Sequence, residues 1–496
     1  MTVTMKMTDS TSLPAPGLAR RSVALTSSVL ALLVLGACAT PTAYQRTALQ
    51  VPSQFAQAPV AAAADVSARQ SLSPWWLAMG DASLTALIQE ALARNNNLAQ
   101  AAVRVRRAQL VAGQAASDQL PSVAVRGNAT ASQPLEGGPT TRLNSATGTV
   151  TWEADLWGRL ASLRSAADWE AQATEQDRVA AAQALVATTA NLYFQVAFLN
   201  QRVATSQQSI DYARRTLQLV QTQYDRGSTS GLELSQATQA VAAQEAAQTL
   251  FVLQRVQARN ALAILLDGPP GVALSESQRL PEGALPEVPA GVPSDLLARR
   301  PDLMAAELRL RRSLAQADAT RASFYPVLTL TGSVGGSSTA LSRVLTDPVG
   351  TLGAGLLLPF VQFRDMRRNI AISQADYEVA VIGWRQTWYS ALSDVDNALA
   401  SRQQYEQQGL RLMEAVTAAR TTERLAEVRY RAGAVSLKTW LDAQETRRQA
   451  ETNLAQSRLN RLNALVTLYQ ALGGDVSASS PSLPLARTEA QAMLGA

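Results

Sequence analysis

Histidine is missing from the 496-residue sequence, and cysteine occurs once. Without histidine, the Ser-His-Asp and Cys-His nucleophile systems and every zinc or iron site with a histidine ligand are excluded. With Cys38 as the one thiol, disulfides within the chain and thiolate metal clusters are excluded as well. The carboxylate, lysine and tyrosine side chains that remain show no acid–base pair or nucleophile arrangement. We therefore predict a protein that is not an enzyme and needs no cofactor or metal.

Charged residues are also scarce, at 17% of the chain, and aromatic residues make up 5%. The 44 basic and 39 acidic residues give a formal net charge of +5, and the two signs are interleaved along the chain. Runs of basic residues mixed with aromatic side chains, which are typical of nucleic-acid-binding surfaces, do not occur. We therefore expect no nucleic-acid partner.

The N-terminal segment has the pattern of a secretion signal. Two consecutive arginines precede an apolar stretch over residues 23–35, which is too short to span a membrane as a helix. The stretch ends in Leu-Gly-Ala-Cys at positions 35–38, which resembles the lipobox of bacterial lipoproteins. We predict a signal peptide over residues 1–37 and lipid attachment at Cys38. A plain secretory signal with an incidental cysteine is the alternative.

Residues 38–73 are rich in proline, alanine, glutamine and serine and show no periodicity, which favours an extended tether. Two acyl chains are enough for stable anchoring to a membrane. Position 39, directly after Cys38, is alanine rather than aspartate, which in such lipoproteins implies passage to the outer membrane. We therefore expect a protein anchored by lipid to the bacterial outer membrane.

The remainder of the sequence is a duplication. Shifts of 205 or 206 positions place ten residues of the first half on identical residues of the second half, namely Arg104, Arg106, Arg107, Pro121, Gly127, Arg159, Tyr224, Gly227, Ser230 and Ala237. We predict a first repeat at 74–270, a linker at 271–294, a second repeat at 295–473 and a C-terminal tail at 474–496.

Each repeat contains two segments in which apolar and polar residues alternate. They lie near 121–132 and 145–157 in the first repeat, and near 326–336 and 351–362 in the second. A period of two indicates strands with one apolar and one polar face. A soluble two-layer sheet would show the same alternation, but a length of about ten residues fits a tilted strand that spans a membrane.

Four strands are too few to close a barrel, and an open sheet edge in lipid leaves backbone groups without hydrogen bonds. Barrels built from single chains begin at eight strands. Several copies of the chain must therefore each contribute four strands, and twelve strands from three copies is the economical solution.

Each pair of strands is followed by a predicted helical hairpin, at residues 159–266 and 366–472. Between Arg159 and Tyr224 the chain has no proline and no glycine, and its apolar residues follow heptad spacing. At 1.5 Å per residue, a helix of this length measures about 100 Å. A soluble coiled-coil scaffold is the alternative, but it does not explain an amphipathic pair of strands before each long helix.

Four short motifs complete the pattern. They are Trp75-Trp76 with Asp81, Leu84 and Leu87; Asp155-Leu156-Trp157-Gly158-Arg159; Leu297-Ala298-Arg299-Arg300-Pro301-Asp302-Leu303 with Ala306-Glu307; and Tyr430-Arg431-Ala432-Gly433 with Leu441-Asp442-Ala443-Gln444. Together they resemble the TolC/OprM-like outer-membrane factors, in the lipoprotein branch that serves resistance-nodulation-division (RND) drug efflux pumps. The Arg-Arg-Pro-Asp string is the most specific, and the resemblance covers essentially the whole mature chain.

The resemblance implies a mainly α fold with membrane β structure. Three copies would form a homotrimer in which four strands per protomer share a twelve-stranded outer-membrane barrel, continuous with a long α-helical coiled-coil barrel in the periplasm. The partners it implies are a periplasmic adaptor (membrane fusion protein), an inner-membrane RND-type pump and outer-membrane lipid. The expected function is passive export of drugs and toxic small molecules across the periplasm and outer membrane.

The resemblance also assigns roles to the turns of the two helical hairpins. The adaptor-contacting tips correspond to Gly227, Ser228, Thr229, Gly433, Ala434 and Val435. Glycine suits such turns because it tolerates positive φ. The alternative is that these residues only turn the chain.

The pore constriction of the family corresponds to residues just after the second turn. Asp442 takes the place of its acidic ring, and Tyr430 that of a tyrosine that holds neighbouring hairpins together. This sequence departs from the family where a hydrophobic gate residue or a second acid commonly stands, since it has Lys438 and Thr439. Because Lys438 precedes Asp442 by four residues, the two side chains can pair along one helix face.

Two other functions stay open. The same duct could serve protein secretion or metal-ion efflux, because the pump chooses most of the cargo. A periplasmic coiled-coil scaffold anchored by lipid, without a pore, is the second possibility.

Overall fold

The computed structural model describes residues 42–46, 48–57, 74–286, 288 and 293–474. The predicted signal peptide, the lipid-attachment residue Cys38 and most of the predicted tether and tail lie outside these residues and stay predictions. The described chain is mainly helical and carries one antiparallel sheet, which confirms the predicted fold class. None of its helices is long and apolar enough to cross a membrane.

The elements follow the same order in both halves of the chain. The first half contains α1 (Ala82–Arg94), α2 (Asn96–Ser117), β1 (Ser122–Ser132), β2 (Thr141–Ala154), α3 (Arg159–Asp225) and α4 (Gly231–Leu265). The second half contains α5 (Leu296–Arg299), α6 (Pro301–Ala322), β3 (Val327–Ser338), β4 (Val349–Leu357), α7 (Phe363–Arg431) and α8 (Leu437–Ala471). The long helices α3 and α7 have 67 and 69 residues.

The chain divides into two compact units, and each half contributes to both. Among the described residues, the first unit includes Leu110–Asp168 and Arg311–Val379 and holds the sheet. The second unit includes Trp169–Leu310 and the chain from Ala380 onward, and it holds most of the long helices.

The sheet of the first unit has the strand order β1-β2-β3-β4, with every neighbouring pair antiparallel. Ser122 pairs with Thr151 between β1 and β2, and Trp152 pairs with Leu330 between β2 and β3. The outer edges of β1 and β4 have no strand partner within the described chain. Side chains on both edge strands are exposed along their whole length.

The bounds of two strands differ from the alternation in the sequence. Strand β2 begins at Thr141 rather than near 145, because pairing with β1 continues to the Ser132–Thr141 pair and shortens the loop. Strand β4 ends at Leu357 rather than near 362, because Pro359 begins a short 3₁₀ turn over Pro359–Val361 and lacks the N–H that a ladder needs.

The junction between β2 and α3 explains the Asp-Leu-Trp-Gly-Arg motif. The Asp155 carboxylate accepts hydrogen bonds from the backbone N–H of Leu160 (3.1 Å) and Ala161 (2.8 Å), which caps the start of α3. Gly158 has φ of 70°, in the region that favours glycine. Arg159 donates to both carboxylate oxygens of Glu153, at 2.8 Å each. These contacts fix the direction in which the helix leaves the strand.

The second unit contains an apolar core to which all four long helices contribute side chains. This core is rich in alanine and contains large side chains that are almost fully buried, among them Trp76, Tyr193, Phe194, Leu199, Leu262 and Trp388. Trp75 stacks on Tyr469 with ring centroids 5.1 Å apart. Asp81 caps α1 and accepts a 2.8 Å hydrogen bond from the Tyr193 hydroxyl. The Trp-Trp and Asp81 motif therefore ties the start of the body to α3 and α8.

The Arg-Arg-Pro-Asp string has a structural role in the same unit. Pro301 is the first residue of α6, where its missing N–H costs nothing. Arg300 is 9% exposed, pairs with Asp302 (2.7 Å) and Asp394 (3.0 Å), and donates to the carbonyl of Ala471 at 3.2 Å. The side chain thus joins the start of α6 to α7 and to the end of α8.

Candidate functional site

The turn between α3 and α4 is built on a left-handed glycine. Gly227 has φ of 72°, and its N–H donates to the carbonyl of Tyr224 at 2.8 Å. The N–H of Ser228 donates to the carbonyl of Gln223 at 2.8 Å. These two bonds form a Schellman motif, which satisfies carbonyls at the end of a helix. Ser230 then caps α4 in a capping box with Glu233.

The turn between α7 and α8 repeats this geometry. Gly433 also has φ of 72°, and its N–H donates to the backbone carbonyl of Tyr430 at 2.9 Å. The N–H of Ala434 donates to the backbone carbonyl of Arg429 at 2.8 Å. Ser436 caps α8 through the N–H of Thr439. Two turns with the same hydrogen bonds follow from the duplicated Tyr-x-x-Gly-x-x-Ser pattern.

The six predicted tip residues differ in exposure. Gly227, Ser228, Gly433 and Ala434 are exposed, whereas Thr229 and Val435 are partly buried. A Cβ added at either glycine would meet no atom within 4 Å, so the chain itself leaves these positions open. Four of the six residues are therefore free to contact another molecule.

The two hairpins pack against each other close to their turns. Buried residues from all four long helices form one cluster, namely Val220, Ala237, Ala426, Tyr430, Leu437, Trp440 and Ala443. The Tyr430 ring stacks on Trp440 at 5.2 Å, and its hydroxyl donates a 2.8 Å hydrogen bond to Oε1 of Gln223. Burial, together with the negative charge of Glu233, raises the pKa of Tyr430, so the hydroxyl keeps its proton at neutral pH. Tyr430 thus links the second hairpin to the first.

Sequence reasoning missed two aromatic partners in this cluster. Trp440 is 2% exposed and also meets Tyr212 edge-on at 6.3 Å. The Tyr212 hydroxyl lies 3.2 Å from Oε2 of Glu427, and burial, with Glu423 and Glu427 nearby, raises the pKa of Tyr212. The signal was present in the sequence, since Trp440 stands between Lys438 and Asp442 on α8, but its partner on α3 is more than 200 residues away.

Lys438 and Asp442 form an ion pair one turn apart on α8. The Lys438 ammonium lies 2.9 and 2.8 Å from the two carboxylate oxygens of Asp442. Both side chains are well exposed, at 65% and 62%. Because Lys438 faces solvent together with Asp442, this face of α8 carries a balanced pair of charges.

A second set of charges lies deeper between α7 and α8. Glu423 is 9% exposed and pairs with Arg447, which also pairs with Glu451 at 2.8 Å. Glu451 in turn pairs with Arg420 at 2.8 Å. The described residues hold no group of three or more carboxylate or thiol side chains placed to bind a metal ion. The arrangement holds α7 and α8 together and presents charge on their surfaces.

Comparison with known proteins identifies the fold. The family described as "Outer membrane efflux protein" matches residues 87–268 and 292–474. The chain belongs to the outer membrane efflux protein family. It is 33% identical over 461 residues to the pyoverdine export outer membrane protein OpmQ of Pseudomonas putida, covering 91% of this chain and 97% of that protein. It is 32% identical over 475 residues to the toluene efflux pump outer membrane protein TtgC, also of Pseudomonas putida, covering 91% and 96%.

A solved structure shows the same architecture. The open state of the MtrE outer membrane channel of Neisseria gonorrhoeae superposes with a TM-score of 0.77 at 26% identity, covering 90% of this chain and all of that chain. The resemblance to TolC/OprM-like factors is therefore confirmed. As a member of the outer membrane efflux protein family, the chain is the outer-membrane channel component of an efflux system for small molecules. Channels of this family are homotrimers that work with adaptor and inner-membrane pump partners.

Proposed function

We propose that three copies of the chain form one passive conduit for small organic molecules, in which no copy performs chemistry. The unpaired edges of β1 and β4 in the described chain carry this proposal. An unpaired strand edge is not tolerated in lipid, because its backbone groups find no water there. If β4 of one copy pairs with β1 of the next, three copies close a barrel of twelve strands and no edge is left.

The duct would work in a tripartite pump with a periplasmic adaptor and an RND-type inner-membrane pump. The exposed tip residues Gly227, Ser228, Gly433 and Ala434 support an adaptor contact, because the chain itself does not cover them. Thr229 and Val435, which are partly buried, would support the turns without contacting the adaptor. Lipid attachment at Cys38 would add an anchor beside the barrel.

We assign the pore constriction to α8, with Asp442 and Lys438 lining it and Tyr430 holding the hairpins together. The exposure of the Lys438–Asp442 pair and the link from Tyr430 to Gln223 support this assignment. Substitution of Asp442 by alanine, alone or with Tyr430→Phe, is expected to raise single-channel conductance in planar bilayers. Unchanged conductance would show that Asp442 does not line the constriction.

The cargo is the part of the proposal that export assays test directly. A strain that lacks the gene is expected to become sensitive to amphiphilic drugs and to recover when the chain is expressed together with its adaptor and pump. Loss of metal tolerance alone would indicate metal-ion efflux instead of drug export. Loss of a secreted protein alone would indicate protein secretion. A purified protein without channel activity would favour the scaffold and overturn the conduit.

Cross-linking tests the adaptor contact. A photoreactive residue at Ser228 or Ala434 is expected to capture the adaptor in cells, whereas the same residue at Gly113, which is exposed on α2 with open space around it, is not. Equal capture at all three positions would contradict the assignment of the tips.

A further inference from the structure

The two junctions between a strand and a long helix occupy equivalent places in the duplicated chain but differ in chemistry. In the first, Glu153 binds Arg159 and Asp155 caps α3. A shift of 205 residues places these two acids on Leu358 and Phe360, and Arg159 on Arg364. The second junction therefore has the equivalent arginine and neither of the two carboxylates that serve the first.

Apolar side chains stand in place of those carboxylates, and these side chains are exposed. Five such residues lie exposed within seven positions at the end of β4 and the start of α7, namely Leu357, Leu358, Phe360, Val361 and Phe363. The first and last are 65% and 61% exposed. Large apolar groups that cluster at the surface of a single copy mark a site where a membrane or another protein binds. We call this segment with the arginines that follow it the second junction, residues 357–368.

Three arginines follow the apolar residues at once. Arg364, Arg367 and Arg368 are exposed, and their spacing of three and four residues places them on one face of α7. Their side chains make no ion pair or hydrogen bond with any part of the chain that the structure describes. Asp365 is the one acid in the first turn, and it lies about 100° around the helix from Arg364.

This arrangement is electrostatically unfavourable for the chain alone. Like charges three or four residues apart on a helix repel each other. Cations in the first turns also oppose the partial positive charge at the start of a helix. The first junction offsets its arginine with Glu153 and caps its helix with Asp155. In the second, Asp365 is the one acid in the first turn of α7, and a single carboxylate offsets only part of the charge of three arginines. An anion outside the chain would offset the remaining charge.

We propose that the second junction binds the phosphate groups of anionic phospholipids. The exposed leucine and phenylalanine side chains lie against acyl chains, and the guanidinium groups of Arg364, Arg367 and Arg368 reach the lipid phosphates. Arginine binds phosphate with paired N–H donors, and apolar residues next to basic ones are typical of the boundary between hydrocarbon and headgroups. The outer-membrane location of the family supplies such a boundary.

The apolar residues decide between a lipid and a small anion. Inorganic phosphate would use the three arginines and gain nothing from Phe360 or Phe363. A phospholipid uses both parts of the segment at once. Of the functional assignments, the proposal uses only the outer-membrane location and is independent of the role given to Asp442. An unchanged conductance in Asp442 variants would therefore leave the lipid proposal intact, and a missing lipid preference would leave the channel intact.

The test is a binding titration of the full-length protein in an uncharged detergent with short-chain phosphatidylglycerol and with phosphatidylcholine of the same chain length. The wild-type protein is expected to prefer phosphatidylglycerol by about tenfold or more. The variant R364Q/R367Q/R368Q is expected to lose this preference, because each basic residue near an anionic lipid surface contributes a factor of about five. Replacing the same three residues by lysine is expected to keep most of it.

The matched control removes the same charge elsewhere. Arg104, Arg106 and Arg107 are exposed on α2 and make no ion pair or hydrogen bond with the described residues, and R104Q/R106Q/R107Q is expected to bind like the wild type. Equal loss in this control, or no preference in the wild-type protein, would overturn the proposal. Displacement of the lipid by inorganic phosphate at equal concentration, or tighter binding of lipopolysaccharide, would overturn it too. If the triple variant does not fold, Arg367→Gln alone must lower the preference severalfold, and an unchanged preference counts against the proposal.

Discussion

The Tyr430 hydroxyl donates a 2.8 Å hydrogen bond to the side-chain carbonyl of Gln223, a residue 207 positions earlier in the chain. Gln223 lies in the last turn of α3 and Tyr430 in the last turn of α7, so the bond joins the two hairpins of one chain directly beside their turns. Any widening between these hairpins must break it or carry both residues along.

Removal of this hydroxyl is the first prediction. Tyr430→Phe keeps the stacking on Trp440 and loses the hydrogen bond, which at a partly buried site contributes about 1 kcal/mol. Gln223→Leu loses the same bond from the other side. We expect each variant to raise mean single-channel conductance in bilayers, and the double variant to show no further increase, because both changes remove one interaction. Conductance increases that add would mean that the two residues act separately.

The Lys438–Asp442 pair leads to a prediction on ion selectivity. Lys438→Met leaves Asp442 without its counter-ion and is expected to shift the reversal potential in a salt gradient toward cation selectivity. Asp442→Asn leaves Lys438 alone and is expected to shift it toward anion selectivity. Stability should change by less than about 1 kcal/mol in either variant, since exposed ion pairs contribute little.

A control for this prediction is the exposed pair of Glu90 and Arg94 on α1, which has the same spacing and a 2.7 Å contact. Arg94→Met removes one charge outside α8 and should leave the reversal potential unchanged. Equal shifts in Arg94→Met and Lys438→Met would show that net charge, and not position on α8, sets selectivity.

Replacing glycine by alanine is predicted to have opposite effects on stability in the two turns and inside helix α2. Gly433→Ala forces a side chain into φ of 72° and is expected to lower stability by about 1 kcal/mol, although the added Cβ has open space. Gly227→Ala should cost the same, because its backbone conformation is the same. Gly113 lies inside helix α2, where alanine is favoured, so Gly113→Ala should raise stability by about 0.5–1 kcal/mol. Thermal unfolding in detergent measures all three.

Asp302 predicts a pH dependence of stability. Burial alone would raise the pKa of Asp302, but hydrogen bonds and attraction from Arg300 outweigh it and hold the pKa below its ordinary value of 3.8. A carboxylate whose folded-state pKa is lowered stabilises the fold above its unfolded pKa, and this contribution disappears as the pH falls through the folded value. We therefore expect the wild-type melting temperature to fall between about pH 5 and about pH 2 more steeply than that of Asp302→Asn.

The matched control for Asp302 is Asp295, which lies 3.6 Å from Arg299 at the surface of the same region. Asp295→Asn should follow the wild-type pH profile, since a surface pair at this distance contributes little. Parallel profiles for the wild type and Asp302→Asn would contradict the role given to the Arg300–Asp302 pair.

Local patterns were enough to predict much of the molecule. Alternation with a period of two located four strands to within a few residues, because one face of each strand is apolar. The unbroken run from Arg159 to Tyr224 predicted α3, because no proline or glycine interrupts it. The repeated Tyr-x-x-Gly-x-x-Ser pattern predicted both turns, since only a left-handed residue closes a Schellman motif cheaply.

The sequence by itself determined which segments are strands, which are helices and where the chain turns, because those choices depend on neighbours two to four residues away. Only the tertiary structure decided which distant side chains meet. It placed Gln223 opposite Tyr430, Trp440 against Tyr212, and Arg300 among α6, α7 and α8. These contacts depend on how long helices pack side by side, and a shift of one turn along a helix would exchange every partner while leaving the local pattern unchanged.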